Sequence, residues 1–306
     1  MKSNSFYREF EDRYRGSREQ ILTRLQVYLP WMKAVLDSFP GGEVLDLGCG
    51  RGEWLEFSRT QGFRVMGIDQ DPAMLAGCSA LQLPVQCADA IAYLQNAPAD
   101  SYVVVSAFHL VEHLNFEQLQ ILVRESLRVL KPAGLLILET PNPENLTVSS
   151  CSFYLDPSHL KPLPPQLLAF LPEQIGFSRV KIMRMQEPPY LHQVNQSIGL
   201  QEVIGGVSPD YAVIAQKEAA LVLSKIYDTL FASNYGFSLD DLVEQYVIHM
   251  ESRFEELKVG IRQAQNSANQ AQNSANQALA FIGALKATMV WRALDRARKW
   301  MGKKKP

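Results

Sequence analysis

The sequence predicts an α/β protein built on a seven-stranded, mostly parallel sheet and followed by an all-α extension. Three observations carry this expectation. Short β-branched runs alternate with helical patterns from residue 43 to about 217, the signature of repeated βαβ units. A glycine-rich turn closes the first of those runs. Beyond 217 the strand pattern stops, while apolar residues keep a helical period to 289. A chain of 306 residues that is 47% hydrophobic and 20% charged can bury one substantial core and carry an appendage. Its 30 basic and 32 acidic residues argue against a general nucleic-acid binder. Cys49, Cys78, Cys87 and Cys151 have no CxxC spacing, and the polar N-terminus carries no secretory signal, so a cytoplasmic protein is expected. No apolar run approaches the ~20 residues needed to cross a bilayer, which restricts any membrane contact to a peripheral one.

Taken in order, "RGSREQILTRLQVYLP" opens with Ser17 as N-cap and Gln20 three residues on. Ile21, Leu22, Leu25, Tyr28 and Leu29 then form an apolar stripe that must pack on the domain. The strand candidates are "EVLDLG", "RVMGID", "PVQCAD", "YVVVSAF", "GLLILET", "RVKIMRM" and "DYAVIAQ". Between the fourth and fifth lies "NFEQLQILVRESLRVLKP", a helix capped by Asn115, completed by Gln118 and ended by Lys131 and Pro132.

"VLDLGCGRGEW" places Gly48, Gly50 and Gly52 where a buried strand meets a helix. Glycines there let a ligand lie on the backbone, and the helix start offers free N–H groups. The spacing is GxGxG, with Glu53 where a dinucleotide fingerprint has glycine, which disfavours NAD. Asp69 ends the second strand, where a carboxylate can accept both hydroxyls of a ribose. Asp89 ends the third, within reach of an adenine amino group. Together they outline one adenosine site at the C-terminal edge of the sheet.

These motifs, with "GID", "CADA" and "LRVLKPAGLLILETPNP", resemble the class I S-adenosylmethionine-dependent methyltransferases over residues 1–217. The resemblance implies a Rossmann-like seven-stranded sheet with the last strand antiparallel. It also implies S-adenosylmethionine as cofactor, with Gly48 and Gly50 at its methionine part, Asp46 opening the loop, Asp69 on the ribose, and Asp89 with neighbouring Ala90 at the adenine.

Methyl transfer from a sulfonium is an in-line displacement, so the protein aligns the reactants, and an alcohol acceptor additionally needs a general base. "FHLVEHL" supplies His109, Glu112 and His113 after the fourth strand, and "FYLDPSHLKPLP" supplies Asp156 and His159. His113 and His159 are the leading bases, with Glu112 as orienter and His109 as a further candidate; capping or packing roles stay open for each. "ETPNPENL" places Asn142 as a candidate substrate contact beside Glu139 and Asn145. At the N-terminus "FEDRYRGSRE" gathers Arg13, Tyr14, Arg15 and Arg18, from which one guanidinium is expected to grip the methionine carboxylate. No carboxylate–histidine spacing demands a metal. More narrowly, "FYREFEDRYRGSRE", "FHLVEHL", "ETPNPENL" and "FYLDPSHLKPLP" are similar to methyltransferases of bacterial surface-polysaccharide assembly. "DPSH" also resembles a loop of enzymes acting on quinones and other small molecules.

Residues 218–242 read as a helical connector. The repeat "AQNSANQAQNSANQA" then places Ala264, Ala268, Ala271, Ala275 and Ala278 at alternating steps of four and three. The same steps reach back to Val243, Val247, Met250, Phe254, Leu257 and Ile261 and forward to Ile282, Leu285 and Met289. That phase predicts a coiled coil over 243–289, with a lean alanine seam and soft spots at Gly260 and Gly283. The last segment, 290–306, joins Lys286 in a basic cluster: Arg292, Arg296, Arg298, Lys299, Lys303, Lys304 and Lys305 against Asp295. Val290, Trp291, Leu294, Ala297, Trp300 and Met301 lie opposite. Such a helix suits an anionic membrane interface, or a protein partner. This order resembles the methyltransferases that cap a lipid-linked O-antigen at the inner membrane, and implies a homo-oligomer with a glycosyltransferase as partner. Two rivals stay open: methylation of a quinone or other small acceptor, and a cofactor-binding scaffold for a glycosyltransferase assembly.

Overall fold

A computed structural model describes residue 13, residues 16–193 and residues 196–302. Tyr14, Arg15 and Lys303 to Lys305 lie outside the described residues. The chain divides into two compact units between Tyr246 and Val247.

In the first unit the seven strands are β1 (Glu43–Leu47), β2 (Arg64–Asp69), β3 (Val85–Cys87), β4 (Tyr102–Phe108), β5 (Leu130–Pro141), β6 (Arg179–Met185) and β7 (Asp210–Gln216). They form one sheet in the order β3-β2-β1-β4-β5-β7-β6, with β7 antiparallel to both neighbours. Every residue of β4 is buried, because helices cover both faces of the sheet and the strand reads as a continuous apolar run. Alternation along β5 sends Leu135 and Ile137 to one core and Leu136 and Leu138 to the other. The order reverses between β1 and β4, so a crevice opens at their carboxyl ends, where ligands of such sheets bind.

The N-terminal helix starts as its sequence dictates: Ser17 accepts from Gln20 N–H, and the Gln20 side chain returns to the Ser17 backbone. It runs Arg18–Arg24, tightens into a 3₁₀ turn at Leu25–Tyr28 and resumes as Leu29–Ser38. Pro30 therefore does not end the helical segment. It sits in the first turn of the resumed helix, where the missing N–H costs nothing. Tyr28 is fully buried, with edge-on contacts to Trp54 and Phe108 at 5.5 Å each. Its hydroxyl donates to Glu139 Oε2 at 2.5 Å, which ties the N-terminal segment to β5.

Two expectations on boundaries change. The helix capped by Asn115 ends at Val129, and Leu130, in extended backbone, already pairs with Tyr102, so Pro132 lies inside β5 rather than stopping a helix. The segment read as a connector is part of the first unit. Tyr227 is fully buried, Phe231 meets Trp31 edge-on at 5.0 Å, and Arg179 lies 4.4 Å above the Phe231 ring while pairing with Asp228 at 2.7 Å.

The helix Leu239–Ala287 begins by burying Leu242 against Leu191, Ile198, Val203 and Val207. In the second unit it runs unbroken through Gly260, the alanine repeat and Gly283. Val247, Phe254, Leu257, Ile261, Ile282 and Leu285 along its heptad seam are all exposed. A break at Thr288, whose hydroxyl accepts from Trp291 N–H, starts a second helix, Met289–Gly302. Among the described residues no helix is long and apolar enough to cross a membrane.

Removing the Tyr28 hydroxyl strands a buried carboxylate oxygen. Tyr28→Phe is expected to lower the unfolding free energy by about 1.5–3 kcal/mol, measured by urea denaturation. An unchanged midpoint would show that the bond does not hold the segment.

Candidate active site

The turn after β1 is built by backbone constraint. Gly48, Gly50 and Gly52 have φ of 69°, 50° and 80°, left-handed values that side chains disfavour. At Gly52 a Cβ would stand 2.6 Å from Cys78 Sγ. Gly48 and Cys49 donate to Ile68 O, and Gly50 donates to Asp69 Oδ2 at 2.9 Å, which fastens the turn to the end of β2. Asp69 Oδ1 also accepts from Asp71 N–H. Asp46 is buried beneath the turn and accepts from Ser106 Oγ at 2.7 Å. Asp89 caps the helix that Ala90 opens: its Oδ1 takes Ala92 N–H at 2.7 Å and its Oδ2 takes Gln70 Nε2 at 2.6 Å.

One cavity of about 330 Å³ joins this turn to the acceptor candidates. Asp46, Gly48, Cys49 and Trp54 line one side; His109, His113, Asp156 and His159 line the other. Gly50, Asp69 and Ala90 do not line it, and Asp89 borders a second cavity with Ala88, Ala92 and Tyr93. Glu112 is buried behind the wall, with Oε1 3.9 Å from His159 Nε2 and Oε2 accepting from Thr140 Oγ1.

The three histidines differ in electrostatic setting. His109 follows β4 with φ of 52°, a left-handed value rare outside glycine, and its N–H is held by Glu139 O. That turn sets Nδ1 3.3 Å from Glu112 Oε1, and Nε2 3.5 Å from Glu139 Oε1 and 3.9 Å from Asp210 Oδ1. Burial opposes its charge, but the contacts with Glu112 and Glu139 and the field of Asp210 outweigh burial and hold the imidazole well above the ordinary histidine range. Both ring nitrogens of His109 face carboxylates, a setting that favours the protonated ring over a free base. Burial pushes the Asp210 carboxyl up to about 6, with His109 opposing the rise and Glu139 adding to it.

His159 Nδ1 lies 2.6 Å from Phe153 O, and a carbonyl only accepts, so in the neutral ring Nδ1 carries the proton and Nε2 the lone pair. For His113 the same result comes through a serine. Ser158 Oγ donates its one proton to Asp156 Oδ1 at 2.6 Å, so it accepts from His113 Nδ1 at 3.1 Å, again leaving Nε2 free. The two rings meet at 4.8 Å between centroids.

Two candidates stand elsewhere than expected. Asn142 is fully buried; its Nδ2 donates to Ser208 O and its Oδ1 accepts from Glu144 N–H, so it braces the turn after β5 and does not face the cavity. Arg18 is committed to Glu56 at 2.6 Å and to the carbonyls of Arg51 and Gly52. Among the described residues the arginine that lines the cavity is Arg24. Sequence reasoning also missed Asp210. The signal was present: the first residue of an antiparallel strand lies at the carboxyl edge of its parallel neighbours.

Comparison with known proteins accords with this geometry. A methyltransferase-domain family model matches residues 16–198, more than half of the chain. A "probable S-adenosylmethionine-dependent methyltransferase" of Mycolicibacterium smegmatis is 34% identical over 138 residues, 45% of this chain and 52% of that protein. A second protein so described, from Mycobacterium tuberculosis, is 29% identical over 158 residues, 51% of this chain and 56% of its own length. The chain thus spans about half the length of the curated relatives it matches. The crystal structure of a SAM-dependent methyltransferase from Archaeoglobus fulgidus superposes with a TM-score of 0.60 at 34% identity, covering 69% of this chain and all of that one. With its seven-stranded sheet, its glycine turn and a family match across most of the first unit, the chain belongs to the methyltransferase-domain family.

Proposed function

We propose that the chain is an S-adenosylmethionine-dependent methyltransferase whose acceptor is a sugar hydroxyl at the end of a lipid-linked bacterial surface polysaccharide. The observation that carries the methyl-transfer reading is the single cavity that sets the glycine turn opposite His113, Asp156 and His159. The turn fits the cofactor by its own geometry: Gly48 lines the cavity in a left-handed conformation, and a Cβ there would stand 3.2 Å from Leu110 Cδ1. Gly48 and Asp46 would hold the methionine part, Asp69 the ribose, and Asp89 with Ala90 the adenine, while Arg24 is the guanidinium placed to reach a carboxylate in the cavity. When bound there, S-adenosylmethionine supplies a methyl group made electrophilic by its sulfonium.

The residues lining the cavity would hold the acceptor hydroxyl in line with the methyl group that the bound cofactor would supply. The hydroxyl proton leaves toward the Nε2 lone pairs of His113 and His159, whose Nδ1–H groups are held by Ser158 and Phe153. The cavity walls position the acceptor and keep water from the sulfonium.

The polysaccharide assignment is supported by the motif resemblance and by the second unit. Its exposed heptad seam suits a coiled coil, and the Met289–Gly302 helix exposes Val290, Trp291, Leu294 and Met301 beside a basic face suited to an anionic inner-membrane surface. A homo-oligomer held near a membrane-bound glycosyltransferase would meet each growing chain end.

Incubation with methyl-labelled cofactor and either lipid-linked oligosaccharide or quinone extract tests the acceptor. Label is expected in the oligosaccharide, with His159→Ala lowering kcat roughly 10²–10⁴-fold. Label in quinone alone would reassign the substrate, and label in neither would favour a cofactor-binding scaffold. Deleting residues 286–306 is expected to release the protein from anionic vesicles in flotation assays, and retention after deletion would refute the anchor. By analytical ultracentrifugation the full chain is expected to be oligomeric and a chain of residues 1–246 monomeric; equal masses would refute the coiled coil.

A further inference from the structure

Glu112, His113 and His159 have a property that hydroxyl deprotonation alone does not require. Each presents one donor atom to a common point while its other polar atom is fastened behind. His159 Nδ1–H is bound to Phe153 O, His113 Nδ1–H to Ser158 Oγ, and Glu112 Oε2 to Thr140 Oγ1. Ser158 is in turn fixed by Asp156 at 2.6 Å. The atoms left over are two imidazole lone pairs and Glu112 Oε1. This oxygen is buried and accepts no aligned hydrogen bond, with His109 Nδ1 3.3 Å from it. The three donors lie within 4.8 Å of one another, and His159 Nε2 is 3.9 Å from Glu112 Oε1.

A general base needs one oriented imidazole. Two imidazoles with matched tautomers, converging with a carboxylate and each backed by an oxygen acceptor, form the arrangement that orients metal ligands. We propose that Glu112, His113 and His159 bind a divalent transition-metal cation at the acceptor wall. The donor set of two nitrogens and one carboxylate oxygen favours zinc, iron(II), cobalt(II) or manganese(II) over magnesium or calcium, which prefer all-oxygen sites. Bonds of about 2.1 Å require the donors to close together by roughly an ångström, a side-chain adjustment on a loop, since His159 lies in the segment between Leu155 and Pro165.

Because His113 and His159 line the cavity, coordination positions remain open toward it. The inference rests on reading this wall as the acceptor side. With the cation bound, an acceptor hydroxyl at an open position would lose its proton to water at lower pH than a free alcohol; His113 and His159 take the proton, as proposed above, only in the metal-free wall. Sequence spacing gave no such signal because His159 lies 46 residues beyond His113 and reaches it only through the fold.

The test is titration of the purified, metal-stripped full chain with cobalt(II), read by visible d–d absorption, with S-adenosylmethionine binding measured on the same preparations by calorimetry. One cobalt per chain is expected, with affinity at least ~100-fold lower in the His113→Ala/His159→Ala variant and ~10-fold lower in Ser158→Ala, which only loosens a ligand's support. S-adenosylmethionine binding should persist in both, showing that they fold. No cobalt bound to the wild-type chain, or equal binding by the double variant, would overturn the site. A chain that binds S-adenosylmethionine but no cobalt sinks the metal site and leaves the methyltransferase reading standing. Cobalt binding lost in the variants without cofactor binding in any form does the reverse.

Discussion

The first unit is organised around one half-buried histidine and the three acids that meet it. His109 sits at the end of β4 in a backbone conformation that disfavours side chains, and its ring lies within 4 Å of Glu112, Glu139 and Asp210. These acids come from three elements: the turn after β4, the end of β5 and the start of β7. Burying carboxylates without a partner is costly, and the His109 ring between the three elements offsets part of that cost. Glu139 extends the network to Tyr28, and through it the N-terminal segment closes over Trp54 and Phe108. The strained φ at His109 is the local cost of aiming the ring, and the ion pairs offset it.

That arrangement separates two chemistries. On the glycine side the backbone shapes the site: left-handed glycines keep side chains out of the turn, and Asp69 braces it through Gly50. On the acceptor side the side chains act, and their protonation is set by what stands behind them. Phe153 O and the Ser158–Asp156 pair leave both Nε2 atoms as lone pairs, whereas the acids that meet His109 favour its protonated ring. Three histidines within one short stretch of space thus have opposite roles, decided by their neighbours.

The sheet was legible because its strands carry their burial in composition. β4 and β5 are apolar on both faces, and β2, β4, β6 and β7 begin and end where the pattern changes. Caps were legible for the same local reason: Ser17 with Gln20 and Asn115 with Gln118 are interactions over three residues. The misplaced residues depend on distant partners. Arg18 and Arg24 share one helix, and only the position of Glu56, 38 residues after Arg18, decides which guanidinium is consumed. Asn142 resembles a mouth residue until Ser208, 66 residues away, takes its amide. The connector read from 218 onward lacked strand pattern, but Tyr227 and Phe231 find their pocket beside Trp31, near the start of the chain. Local physics was readable and long-range pairing was not.

The extension applies the same logic to an interface. Its helix persists through two glycines and a repeat of asparagine and serine, residues that each weaken a lone helix by about half a kcal/mol or more. Five alanines at the centre of a seam bury far less apolar surface than leucines would, while Phe254, Leu257 and Ile261 on one side and Ile282 and Leu285 on the other are large and exposed. Under the coiled-coil proposal most of the association energy lies at the two ends, and the alanine stretch lets the helices approach closely without adding much. Such an oligomer is held in register at two separated clamps and dissociates readily. If the basic helices bind a membrane as proposed, they would gain accordingly: one amphipathic helix binds reversibly, but two or more on linked chains rebind before the first can diffuse away. Oligomerisation and membrane residence then reinforce one another, which gives a seam this lean a physical reason to keep its phase over so many residues.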